Sequence, residues 1–149
     1  MKTKQLLTGL FSLVIIAGIL SFTVQDSVVG DVLSYTNKFR KSKRLPPLDM
    51  QEELNAIAQK HTDDMARGRV AFGHGGFDKR EARARKYFPN ATHFAENVAY
   101  GSPNGKDVVE GWKSSSGHRR NMLGPYKYIG IGVARDRRGV LYYTQLFIE

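Results

Sequence analysis

The chain has 149 residues, no cysteine and a formal net charge of +9. That length holds one domain. The lack of cysteine excludes a disulfide framework, a lipid-modified cysteine and a zinc site built from thiolates. A positive surface suits anionic partners such as cell-wall polymers, phospholipid head groups or nucleic acid, and it also simply keeps a domain soluble.

Lys2 and Lys4 precede an uncharged stretch from Gln5 to Gln25 with an apolar core, Leu6 to Leu20. A basic start followed by an apolar run is the pattern of a secretory signal, and Ser21 and Thr23 offer small residues for cleavage after Thr23. The same run is long enough to span a bilayer if it is kept. Residues 1–25 are therefore read as a signal peptide or an N-terminal membrane anchor, with 6–24 as the anchoring segment. Residues 26–149 are read as the domain, placed outside the cytoplasm.

Asp26 to Gly30 reads as a linker. A first helix is expected from Asp31, which would cap it, to about Lys43, with Val32, Tyr35, Thr36 and Phe39 as its stripe. Arg40 to Arg44 reads as a basic helix end. Leu45-Pro46-Pro47-Leu48 forces an extended connection. A second helix, capped by Asp49, is expected from about Gln51 to Arg67, burying Leu54, Ile57, Ala58, His61 and Met65 and ending at Gly68. His61 on that stripe reads as a histidine satisfied by a backbone carbonyl.

Phe72 to Phe77 is a loop whose glycines, at 73, 75 and 76, allow positive φ and present His74. Lys79 to Tyr87 reads as a short helix with a Glu81–Arg85 pair. Its charges lack interleaved stacking aromatics, which favours a solvated face and argues against nucleic acid. Ala91 to Tyr100 reads as a strand or a short helical turn. A third helix is expected over about Lys106 to Ser116, with Val108, Val109, Trp112, Ser115 and Ser116 on one side and Trp112 in the core. Tyr128 to Arg135 and Val140 to Ile148 read as strands joined by a hairpin at Arg137-Arg138-Gly139. Helices first and a late antiparallel sheet predict an α+β domain with helices packed on the sheet faces.

Ser114 to Leu123 holds the most pointed signal. Gly117 is expected to stop the third helix in a left-handed conformation and leave His118 aimed into a cleft. His74 in its glycine loop and Glu96-Asn97 are the stretches expected to meet it. Two imidazoles and one carboxylate would suit a divalent metal such as zinc. The same groups could work as acid and base, with Glu96 orienting a histidine that activates Ser116 or water. They could also simply tie loops together. The spacing matches no HExxH pattern, and no GxSxG elbow is present. Asn97 reads as a structural partner of a loop backbone, because its amide both donates and accepts.

Taken together, these pieces resemble the CAP superfamily of cysteine-rich secretory, antigen 5 and pathogenesis-related proteins, whose domain is also called SCP. The resemblance rests on Asn37-Lys38-Phe39-Arg40 before Leu45-Pro46-Pro47-Leu48, and on the Leu54 to Met65 helix. It continues through His74, Glu96-Asn97 and Trp112 to Asn121, and ends with Ile129 to Ala134 before Tyr142 to Phe147. The absence of cysteine and the Ser-x-Gly-His-Arg-x-Asn segment resemble the short bacterial branch. The resemblance implies an α-β-α sandwich with a central antiparallel sheet, and a cleft where His74 and Glu96 match family positions. Ser114 and Ser115 stand near the family's second glutamate, Tyr142 stands where its second histidine lies, and His118 comes from a different element.

The expected ligand cleft is therefore His74, Glu96, His118, Asn97 and Ser116, with His74, Glu96 and His118 as candidate metal ligands. No residue is assigned a catalytic role. The expected activity is binding of a lipid or cell-envelope component. The alternatives are an envelope hydrolase or protease and a non-catalytic interaction protein with a basic surface. The sequence does not fix the oligomeric state.

Overall fold

In the computed structural model, the backbone is described from residue 9 onward and side chains from residue 25, residue 26 excepted. The signal or anchor expected at 1–25 thus lies almost wholly outside the described side chains. Among the described residues no helix is long and apolar enough to cross a membrane.

The C-terminal hairpin forms the centre of the sheet. Strands β3 (Tyr128–Arg135) and β4 (Leu141–Ile148) pair antiparallel, Tyr128 opposite Ile148 and Arg135 opposite Leu141. Strand β2 (Phe94–Tyr100) adds antiparallel to the other side of β4. Strand β1 is only Asp49–Met50, and it runs parallel to β3. The order is β1-β3-β4-β2. The sheet is therefore mixed rather than wholly antiparallel. The Pro46-Pro47 extension delivers two residues alongside β3, where the Asp49 and Gln51 amides donate to Lys127 O and Ile129 O. This pairing also takes Asp49 away from the capping role expected of it. The cap position of α2 (Glu52–Ala66) is Gln51, without a side-chain bond, and Glu52 and Glu53 supply the negative charge of the first turn.

Alternation along the strands sends side chains to two layers. On one face Ile129, Ile131, Val133, Tyr143 and Phe147 pack with α1 (Gly9–Ser42), α4 (Gly105–Ser114) and α5 (Ser116–Met122). On the other, Leu146 and Ile148 pack with Leu54, Ile57 and Ala58 of α2 and Ala84 of α3 (Phe77–Ala84). The result is the expected α-β-α sandwich. Gly130 and Gly132 let α2 lie directly on β3: a Cβ there would stand 2.3 Å from the Leu54 carbonyl carbon and 2.5 Å from that of Ala58.

The expected linker at 26–30 is instead continuous helix, because α1 runs unbroken through it and buries Val28 beside Val32. Asp31 is an interior helical residue, not a cap. Arg40 is not part of a solvated basic end either. It is 1% exposed and donates to the carbonyls of Pro46, Met122, Gly124 and Tyr126. Asn37 clamps the same turn by exchanging both its amide bonds with the Leu48 backbone. This is the physical content of the Asn-x-x-Arg motif: two side chains of α1 satisfy the backbone of the proline turn and of the chain before β3.

Candidate functional site

The loop between α2 and α3 is shaped by its glycines. Gly73 and Gly76 take φ of +132° and +76°, whereas Gly75 does not need positive φ. His61 of α2 holds the loop from below, its Nε2 bonded to Gly73 O at 2.9 Å, the carbonyl partner expected for it. Burial first, then the Arg80 charge, push the His61 imidazole below its ordinary range. The neutral ring thus donates its proton to the loop.

His74 and Glu96 meet as expected. His74 Nδ1 lies 2.8 Å from Glu96 Oε1, and since a carboxylate only accepts, the ring donates from Nδ1 and leaves Nε2 outward. The His74 side chain is 52% exposed and that of Glu96 1%. Sequence reading missed the third member. Arg80, only 11% exposed, donates from Nε to Glu96 Oε2 at 2.6 Å and from Nη2 to Oε1 at 2.7 Å. It also donates to the carbonyls of Gly75 and His74, so it ties the loop to β2. In the sequence its charge reads as part of a solvated helix face. The signal that distinguishes it is its position: Arg80 is three residues after Phe77 and four before buried Ala84, on the inward side of α3.

No hydrogen bond links His118 to this pair among the described residues, although its ring lies near enough for the His74 charge to act on it. The helix break falls at Ser115, which is extended, and Gly117 sits in the first turn of α5 without positive φ. His118 therefore belongs to a second helix rather than lying past a stop, with its ring tilted 6.4 Å from Trp112. Burial first, then the His74 charge, lower its pKa. Ser116 is exposed, and no imidazole bonds to it among the described residues. Asn97 is structural. Its amide donates to His118 O and Gln145 Oε1 and accepts from Asn121, while Gln145 donates onward to Thr36. This chain of amides crosses α5, β2, β4 and α1. Asn121, Gln145 and Thr36 carry no sequence pattern that would announce it.

A divalent metal does not fit this arrangement. Both oxygens of Glu96 already accept from the Arg80 guanidinium, so this carboxylate is not free to ligate a metal. Among the described residues no three His, Asp or Glu side chains could hold an ion together.

Open space adjoins the loop and α3. A hollow of about 550 Å³ is bounded by α2, residues 70–76 and α3. Ile57, Val70, Ala71 and Phe72 give it an apolar side, and Lys60, Lys79, Arg80 and Arg83 a basic one, with His61 and Asp64 between. Lys60 is paired with Asp64, whereas Lys79 and Arg83 form no ion pair among the described residues. Phe72 also meets Tyr100 edge-on at 4.7 Å, and Tyr100 stacks on Tyr142 at 5.4 Å. Tyr142 thus carries an aromatic platform where the family resemblance had placed a histidine.

Residues 33–147 match the family described as CAP, the cysteine-rich secretory protein family. The chain is 32% identical over 131 residues to the uncharacterized membrane protein YlbC of Bacillus subtilis (strain 168), covering 85% of this chain and 36% of that protein. It superimposes on an extracellular SCP-domain protein of Bacillus anthracis str. Ames with a TM-score of 0.72 and 26% identity, over 85% of this chain and 41% of that one. A cysteine-rich secretory protein of Staphylococcus aureus subsp. aureus Mu50 gives a TM-score of 0.70 and 27% identity, over 84% and 39%. The chain therefore spans less than half the length of these relatives. The match over nearly the whole folded part, together with the sandwich and the motifs that build it, shows that the chain belongs to the CAP family.

Proposed function

We propose that this CAP domain is a binding module, acting outside the cytoplasm, that takes an amphipathic anionic ligand of the cell envelope into the hollow between α2, the glycine loop and α3. The observation that carries this reading is the division of labour around Arg80. On one side Arg80 consumes both oxygens of buried Glu96, which leaves a strut rather than a reactive carboxylate. On the other it lines a hollow whose apolar side and basic Lys79 and Arg83 suit an acyl chain with an anionic head. The extracellular and membrane descriptions of the relatives support the location.

Dodecyl phosphate is a suitable probe. Calorimetric titration below its critical micelle concentration should give saturable one-to-one binding, weakened at least about tenfold in Lys79→Gln/Arg83→Gln, the loss of roughly 1.4 kcal/mol. Binding that is absent, or indifferent to both substitutions, would overturn the reading.

A second reading is hydrolysis, favoured by the Glu96–His74 bond, which orients an imidazole as a general base requires. Turnover of phosphate or carboxylate esters abolished by His74→Gln would establish it in place of the first.

A further inference from the structure

The β3–β4 hairpin and the end of α2 enclose a second hollow, of about 890 Å³, that shares no residue with the first. Arg67, Arg69, Arg135, Arg137 and Arg138 line it, against one carboxylate, Asp136. That carboxylate is spent internally: it accepts from the Arg138 and Val140 amides and pairs with the Arg138 side chain. Arg69 is paired with Asp64, and Arg135 donates to Gly139 O. Arg67 and Arg137 form no ion pair among the described residues. All five arginines are exposed. Among the described residues a single carboxylate faces five arginines in this hollow, and guanidinium groups match phosphate oxygens in pairs.

The position of the hollow selects the occupant. Gln25 donates from Nε2 to Val133 O at 2.7 Å, two residues before Arg135, so the upstream part of α1 lies at the hairpin end of β3. The same helix continues back from Gln25 to Gly9, through most of the apolar sequence 6–20. Arg40, at the other end of α1, sits beside the residues that precede β3. The arginine hollow and the apolar helix therefore share one end of the molecule, and the lysines that follow Arg40 occupy the other, ~22 Å along the helix. An apolar segment adjoined by a cluster of arginines is the arrangement that anionic head groups attract.

We propose that the hollow formed by Arg67, Arg69, Arg135, Arg137 and Arg138 seats the phosphate head groups of an anionic bilayer and holds the hairpin end of the domain against the membrane. This surface is separate from the ligand hollow and does not rest on the binding function proposed for it.

The full chain is partitioned onto vesicles of phosphatidylcholine alone and onto vesicles carrying roughly 30 mole per cent phosphatidylglycerol. The readout is the ratio of the two partition coefficients, in which the apolar contribution of the N-terminal helix cancels. The ratio should exceed about tenfold for the wild type, fall at least about tenfold in Arg67→Gln/Arg135→Gln/Arg137→Gln, and fall with added salt. Lys38→Gln/Lys41→Gln/Lys43→Gln, with the same charge removed from the other end, should keep most of it. Dodecyl phosphate binding should be unchanged in the arginine variant. If the triple variant loses its fold, Arg137→Gln alone at the hairpin tip carries the comparison. An unchanged ratio in the arginine variants, or an equal loss in the lysine control, overturns the proposal. So does binding of soluble tripolyphosphate as tight as that of vesicles at equal phosphate and with the same arginine dependence, which would make the hollow a site for a soluble polyanion.

Discussion

Arg80 presents two nitrogens to the two oxygens of Glu96 at 2.6 and 2.7 Å, in a place almost closed to water. Removing one partner of such a pair leaves a buried charge uncompensated, a cost of about 3 kcal/mol or more. Glu96→Gln should therefore lower stability by that amount in urea denaturation and loosen the 70–76 loop. A zinc titration should stay flat in both wild type and variant, since the wild-type carboxylate is already committed. His61 and His118 carry the pH dependence. Burial, the first cause in each case, holds both imidazoles below their ordinary range. Below about 6.5 the unfolded chain binds protons that the folded rings refuse, so their contribution is complete above that value and is lost as pH falls. Unfolding free energy should decline between about pH 7 and 5, and His61→Gln/His118→Gln should flatten the decline. At this scale the sequence revealed His61 with its carbonyl partner, the His74–Glu96 meeting and the structural Asn97, because each sits beside an obvious glycine loop or pairing motif. It concealed Arg80 and Arg40. Both lie in charge-rich runs, where the eye sees a solvated face, and only the position of one arginine relative to a buried neighbour sets it apart.

Helix α2 and strand β3 meet backbone against backbone at Gly130 and Gly132. Gly132→Ala would put a methyl group 2.5 Å from the Ala58 carbonyl carbon. Because that neighbour is backbone, the helix itself must shift, and a cost of roughly 1–3 kcal/mol is expected in thermal or denaturant unfolding. On the opposite face Trp112 is 2% exposed, meets Tyr143 edge-on and donates to Val98 O. Trp112→Ala should cost about 3–5 kcal/mol. The long periodic elements were legible. The expected limits of β3 coincide with the observed strand, and those of α2 and β4 agree to within a residue or so, because helical stripes and strand alternation are strong over such lengths. Breaks and joins were not. Gly30 reads as a linker signal, yet it lies on an exposed side of α1, where a helix tolerates glycine. Ser115 and Ser116 continue the apolar stripe in projection, but Ser115 turns extended and starts a new helix, which places His118 in α5. The two-residue β1 is held by pairing with β3, a long-range contact that no local pattern records.

At the scale of the whole molecule, the sheet divides the chemistry. Glu96 points to the α2–α3 side with His74 and Arg80, while Asn97, one residue on, points to the α1–α4–α5 side and knits it together through Asn121 and Gln145. The family relation accounts for the sandwich and for the motifs that lock its turns. The hollow beside the glycine loop gives this member its proposed use, with Arg80, the partner of Glu96, in its wall. The most direct measurement of that claim is a ¹H–¹⁵N correlation spectrum of the protein titrated with dodecyl phosphate. The account predicts shifts concentrated at His61, Val70 to Phe72, Gly75, Gly76, Lys79 and Arg83, with the amides of Asn97 and His118 nearly still. Shifts centred instead on His118, Ser116 and Asn97, with the glycine loop unmoved, would contradict it.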